Sequence, residues 1–85
     1  MNLPDKSQLI SALVDAGKAH HDYQSNILNG EHDKYWPGWY AAYVLGRLGD
    51  FTTPSALTEL LASTPSGKDW NISAAEHVRS SLGNQ

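Results

Sequence analysis

Two adjacent histidines, His20 and His21, are the side chains in these 85 residues best suited to moving a proton, because imidazole titrates near neutrality. On a helical wheel with Leu9 at zero they fall at about 20° and about 120°, with Gln24 at about 60° between them. Both are expected to lean inward. That placement fits two roles. They are imidazoles at the rim of a core, each satisfied by a backbone carbonyl or a Tyr hydroxyl. Alternatively they line a polar pocket, with His20 or His21 as proton acceptor and Asp33 as the orienting carboxylate. A shared metal ion fits poorly, since consecutive helical residues diverge by about 100° and no H-x-x-x-H, H-E-x-x-H or E-x-x-H occurs. A site would have to recruit Glu31, His32 or Asp33 from the following stretch, so no native metal is expected.

Other chemistries have less to build on. The chain has no Cys, which removes thiolate catalysis, disulfides and Cys-bearing zinc sites together. Ser73 and His77 stand four apart, but a helix-capping role already explains Ser73 and no G-x-S-x-G elbow accompanies the pair. Gly46-Arg47-Leu48-Gly49 has neither the spacing nor the Lys of a phosphate loop, so no cofactor is expected.

The strongest compositional signal is aromatic. Five of the eight aromatic residues, Tyr35, Trp36, Trp39, Tyr40 and Tyr43, occupy nine positions, and one helix cannot turn all five inward. Trp36, Tyr40 and Tyr43 share a face with Arg47 within about 60°, with Trp39 displaced by roughly 40°. These rings either supply the core of a chain with a single Phe or form a binding surface, since Tyr and Trp are enriched at interface hot spots.

Four helices are expected to position these groups. Leu9, Ile10, Leu13, Val14, Ile27 and Leu28 fall within about 140° of arc and predict a long amphipathic helix over about 4–28, capped by Asn2 and stopped at Asn29-Gly30. Pro37 opens a second over 37–48, apolar or small nearly all round and so expected to be central, with Ala41, Ala42 and Gly46 letting neighbours approach. Thr53-Pro54 starts a short third helix over 54–63, carried by Leu57, Leu60 and Leu61. Ser73 with Glu76 reads as a capping box opening the last helix over 74–82. No alternating β pattern competes, so the expected fold is all-α: a small four-helix bundle with short loops, one domain spanning 1–85.

Charge and patterning narrow the partners. Hydrophobic residues make up 40% and charged ones 18%, enough apolar surface to build a core. Six basic residues scattered singly against nine acidic ones leave a formal charge of -3 and no basic stripe, so nucleic-acid binding is not expected. The opening MNLPDKSQLI lacks the basic and apolar regions of a secretory signal, and Trp36–Leu45, the densest apolar stretch, is far short of about 20 residues and broken by Pro37-Gly38. A soluble cytoplasmic protein without a membrane role is expected, and the sequon Asn71-Ile72-Ser73 reads as chance.

The stretch Ala19–Leu45, AHHDYQSNILNGEHDKYWPGWYAAYVL, resembles a small helical domain of uncharacterised bacterial proteins. In that group a His and a Tyr on one helix precede a Gly-containing acidic loop and a W-P-x-W-Y-A-x-Y-L/V segment. The matching positions here are His20 or His21, Tyr23, Gly30, Asp33, Trp36, Pro37, Trp39, Tyr40, Ala41 and Tyr43. The resemblance implies a fold unit in which His, Asp and the aromatic string meet, and it names no substrate. Chain reversal after residue 28 brings the start of the second helix against the end of the first, which assembles the same groups from geometry alone. The expected corner contains His20, His21, Gln24, His32, Asp33, Trp36, Trp39 and Tyr40. The expected role is an interaction module that binds a protein partner or a second copy of itself there. A ligand-binding or catalytic pocket at the same corner is the alternative.

Overall fold

The computed structural model describes residues 3–83, which form α1 (Lys6–Asn26), α2 (Trp36–Leu48), α3 (Pro54–Ala62) and α4 (Trp70–Gly83). Neighbours in the bundle are α1/α2, α2/α3, α3/α4 and α1/α4, so the four helices close a ring. The all-α bundle of four matches the expectation, and three of its four elements start and stop within about two residues of it.

Local chemistry accounts for the boundaries. Asp5 starts α1 through a capping box: its carboxylate accepts from Gln8 N–H at 2.8 Å while Gln8 Oε1 accepts from Asp5 N–H at 2.9 Å. The helix thus begins two residues later than the expected position 4, and the expected cap, Asn2, lies outside the described residues. Past the end of α1, Asn29 (φ 55) and Gly30 (φ 82) take left-handed backbone, and Gly30 N–H returns to the Gln24 carbonyl at 2.8 Å. Thr53 Oγ1 caps α3 by accepting from Ala56 N–H at 3.2 Å.

The last helix departs from expectation. It opens one turn early at Trp70, because the Asp69 carbonyl accepts from Ile72 and Ser73 N–H and Trp70 docks on Trp36 and Tyr40. Ser73 therefore sits inside the helix, exposed, and forms no capping box.

One cluster of buried side chains draws on all four helices: Leu9 and Leu13, Val44 and Leu45, Leu57 and Leu61, and Val78, with alanines between them. Ala12, Ala16, Ala41, Ala74 and Ala75 have no exposed surface, which lets the helix backbones approach closely. Each fully buried Leu or Val contributes about 1.5–3 kcal/mol of burial free energy.

The buried stripe of α1 runs through Leu9, Ala12, Leu13, Ala16 and His20, centred about 70° away from the arc that the large aliphatic residues alone define. Ile27 shares the angle of Leu9 on the wheel but lies just past the end of α1, and it is 66% exposed. The expectation that α2 is covered on several sides is also corrected. It packs on α1 and α3, burying Ala41, Val44 and Leu45, while Ala42 and Gly46 face solvent. Two short-range ties hold α1 antiparallel to α4, Lys6 Nζ to Glu76 at 3.1 Å and Arg79 to the Pro4 carbonyl at 2.8 Å.

Candidate functional site

The last two turns of α1 and the first two of α2 meet because the chain reverses over residues 27–35. Asp33 is the hinge of that reversal. Its backbone N–H donates to Gln24 Oε1 at 3.3 Å, its Oδ1 accepts from Tyr35 N–H at 2.9 Å, and its carbonyl accepts from Trp36 N–H at 3.3 Å. The residue thus fastens the loop to α1 and satisfies backbone donors at the entry to α2.

Its remaining oxygen meets His20. Asp33 Oδ2 and His20 Nε2 are 2.9 Å apart, with the two side chains only 10% and 9% exposed. An ionised carboxylate can only accept, so Nε2 carries the proton and donates it. That hydrogen bond, followed by the Tyr35 N–H and the nearby His32, holds the Asp33 carboxyl below the usual carboxylate range against the opposing effect of burial. His20 Nδ1 has no protein partner, and since no fully buried side-chain nitrogen or oxygen among the described residues lacks one, Nδ1 reaches the surface.

Rings enclose the pair. Trp39 stands edge-on to His20 at 5.0 Å between centroids, Tyr40 lies at 5.3 Å and Tyr23 at 6.0 Å. Tyr40 reaches across to α1 over Gly17, where a Cβ would stand 3.3 Å from its hydroxyl, so glycine at that position leaves room for the ring. Burial pushes the Tyr40 phenol above its ordinary pKa, which keeps it neutral. Outward from His20, Trp39 stacks on Tyr43 at 5.8 Å with planes 13° apart and lies 5.8 Å from Tyr23. Arg47, tied to Asp15 of α1, closes that end of the stack.

Of the eight expected corner residues, six are gathered: His20, Gln24, Asp33, Trp36, Trp39 and Tyr40. The other two are exposed. His21 does not lean inward; it falls outside the buried stripe once Ala12 and Ala16 are counted into it. His32 is exposed and bears on the corner through its proximity to the Asp33 carboxyl. Tyr23, Tyr43 and Trp70 belong to the assembly although the expected corner omitted them; Tyr23 and Tyr43 are among the positions of the resemblance, and Tyr43 is one of the five clustered rings. Tyr23 was legible as the residue three after His20 on the alanine-centred face; Trp70 stands alone in the sequence and carries no local signal.

The histidine expected near Ser73 pairs elsewhere: His77 Nε2 is 3.1 Å from Ser63 Oγ, which also donates toward the Leu60 carbonyl at 3.2 Å. Among the described residues no group of three His, Asp or Glu is placed to hold a metal ion, and no helix is long and apolar enough to cross a membrane. Open concavities of about 320, 300 and 290 Å³ lie by Trp36 and Trp70, by Ser11 and Arg47, and by Tyr35 and Pro37; none of these is lined by His20 or Asp33. No family model, curated protein or solved structure matches the chain.

Proposed function

We propose that this chain is a protein-binding module whose docking face is the outer side of the Tyr23–Trp39–Tyr43 stack. The observation that supports this most is the contrast at the corner. The group with acid-base chemistry, His20, is closed in by Asp33 and three rings, while Trp39 and its two neighbours are half-exposed and fixed against one another. Aromatic side chains already held in place lose little conformational freedom on binding, which is the property of an interface anchor.

A photo-reactive amino acid at exposed Ala42, beside Trp39, tests the reading in the native host. A discrete crosslink there, absent with the same probe at exposed Ser80 of α4 and lost on Trp39→Ala, is expected. Equal crosslinking from both positions, or survival of the product in Trp39→Ala, defeats the proposal. Sedimentation at micromolar concentration distinguishes a second copy of the chain from a different partner.

The Asp33–His20 hydrogen bond favours one second reading, a ligand or catalytic pocket in which His20 Nδ1 accepts a proton while Asp33 orients the ring. It requires a substrate that reaches Nδ1 at the surface, beside the rings that crowd His20. His20→Gln separates the readings: it removes the base and leaves the Tyr23–Trp39–Tyr43 face in place.

A further inference from the structure

Beyond the proposed docking face, Trp36, Tyr40 and Trp70 form a second aromatic constellation, sharing with the first only Tyr40, whose ring also borders His20. The three ring planes meet at 81°, 77° and 88°, with centroids 5.4, 5.5 and 5.8 Å apart. All three line one open groove of about 320 Å³, whose remaining walls are Ser66 and Gly67 of the α3–α4 connection. No lining residue carries a formal charge.

All three rings line the same groove and their centroids lie 5.4–5.8 Å apart, so a group seated there comes within the roughly 6 Å over which a ring quadrupole attracts a cation. A hard, strongly hydrated ammonium is badly served by such walls, because they offer it no carboxylate and are mostly ring surface. A methylated ammonium is well served, since its charge is spread over apolar methyl groups that contact ring faces. Its five heavy atoms, at roughly 30 Å³ for each water-sized group, also fit the groove. Glycine at position 67 keeps that wall low, and the open side leaves room for whatever chain carries the head group.

We propose that the Trp36–Tyr40–Trp70 groove is a binding site for a quaternary ammonium group. The test is titration of the intact chain with tetramethylammonium, choline and a short peptide bearing trimethyl-lysine, each followed by NMR. Upfield ring-current shifts of the ligand methyl protons are expected, and the neutral isostere 3,3-dimethylbutanol should bind at least tenfold more weakly than choline. Stronger binding of choline or of the peptide assigns the head group to a free solute or to a modified chain. Trp70→Leu should weaken binding at least tenfold, whereas Trp39→Ala, outside the groove, should not. Because the shifts are read on the unaltered protein, a folding defect in Trp70→Leu does not decide the outcome. Equal binding of the neutral isostere, or no ligand shift up to about 0.1 M, overturns the proposal and leaves the three rings as edge-to-face packing.

Discussion

The interior and the corner of this bundle are built from opposite materials. The interior is leucine, valine and alanine, with Leu9, Leu13, Val44, Leu57, Leu61 and Val78 each at most 1% exposed. The corner gathers seven rings, and only one of them, His20, is classed as buried. Aliphatic side chains fill space by shape and lose everything when truncated. The rings at the corner hold one another by edge and face, and keep part of their surface in water. The aliphatic interior is the region that burial stabilises, and the corner is the region proposed above for recognition; Asp33 links them, accepting from Tyr35 N–H with one oxygen and from the imidazole with the other.

Truncating the interior should show the largest effect. Leu13→Ala or Leu57→Ala is expected to lower the unfolding free energy by about 2–5 kcal/mol in urea titration, because each opens a cavity among helices already drawn close by alanines. A loss under about 1 kcal/mol would mean that the aromatic corner, not the aliphatic cluster, carries the fold.

Breaking the link comes next. Asp33→Ala removes the partner of His20 Nε2 and the acceptor of Tyr35 N–H together, so hydrogen exchange should quicken over residues 27–36 while the Leu9–Leu61 interior stays protected. Asp33→Asn sharpens the same point through pH. The folded carboxyl titrates below its unfolded value of about 3.9, so its stabilising effect is complete above that value and is lost as pH falls through the lower folded pKa. The stability advantage of the unaltered chain over Asp33→Asn should shrink as the solution is taken from about pH 5 downward. An advantage independent of pH would show that the carboxylate charge is irrelevant to the clip.

Trp39→Ala should be milder for stability than either interior truncation, since the ring is only partly buried, yet it should abolish the crosslink proposed for that face. Least of all, Lys6→Met at the exposed Lys6–Glu76 pair is expected to change stability by no more than about 0.5–1 kcal/mol, diminishing in salt.

Much of the helix pattern was readable because its signals are short-range. Thr53-Pro54, Asn29-Gly30 and Gly49 act within a turn of themselves, and they mark element ends where the chain puts them. The one helix start that clearly departs from expectation is that of α4, where Ser73 is a plausible local cap but Asp69 opens the helix one turn earlier and Trp70 docks on Trp36 and Tyr40. The corner was read to the level of its membership and not to its pairing. Glu31, His32 and Asp33 are three consecutive polar residues of which only Asp33 turns to the imidazole, and the left-handed backbone at Asn29 and Gly30 helps set that register.

What the residue order determined by itself is therefore the count and type of elements and the chemistry available at their junction, because caps, glycines, prolines and side-chain types act locally. What only the tertiary structure decided is which side of each helix is inside. Ala12 and Ala16 are too weakly hydrophobic to mark a face, but their small size lets α1 settle against its neighbours there, which turns His20 in and leaves His21 out; the contact of Trp70 with Trp36, thirty-four residues away, is likewise made only when the helices pack.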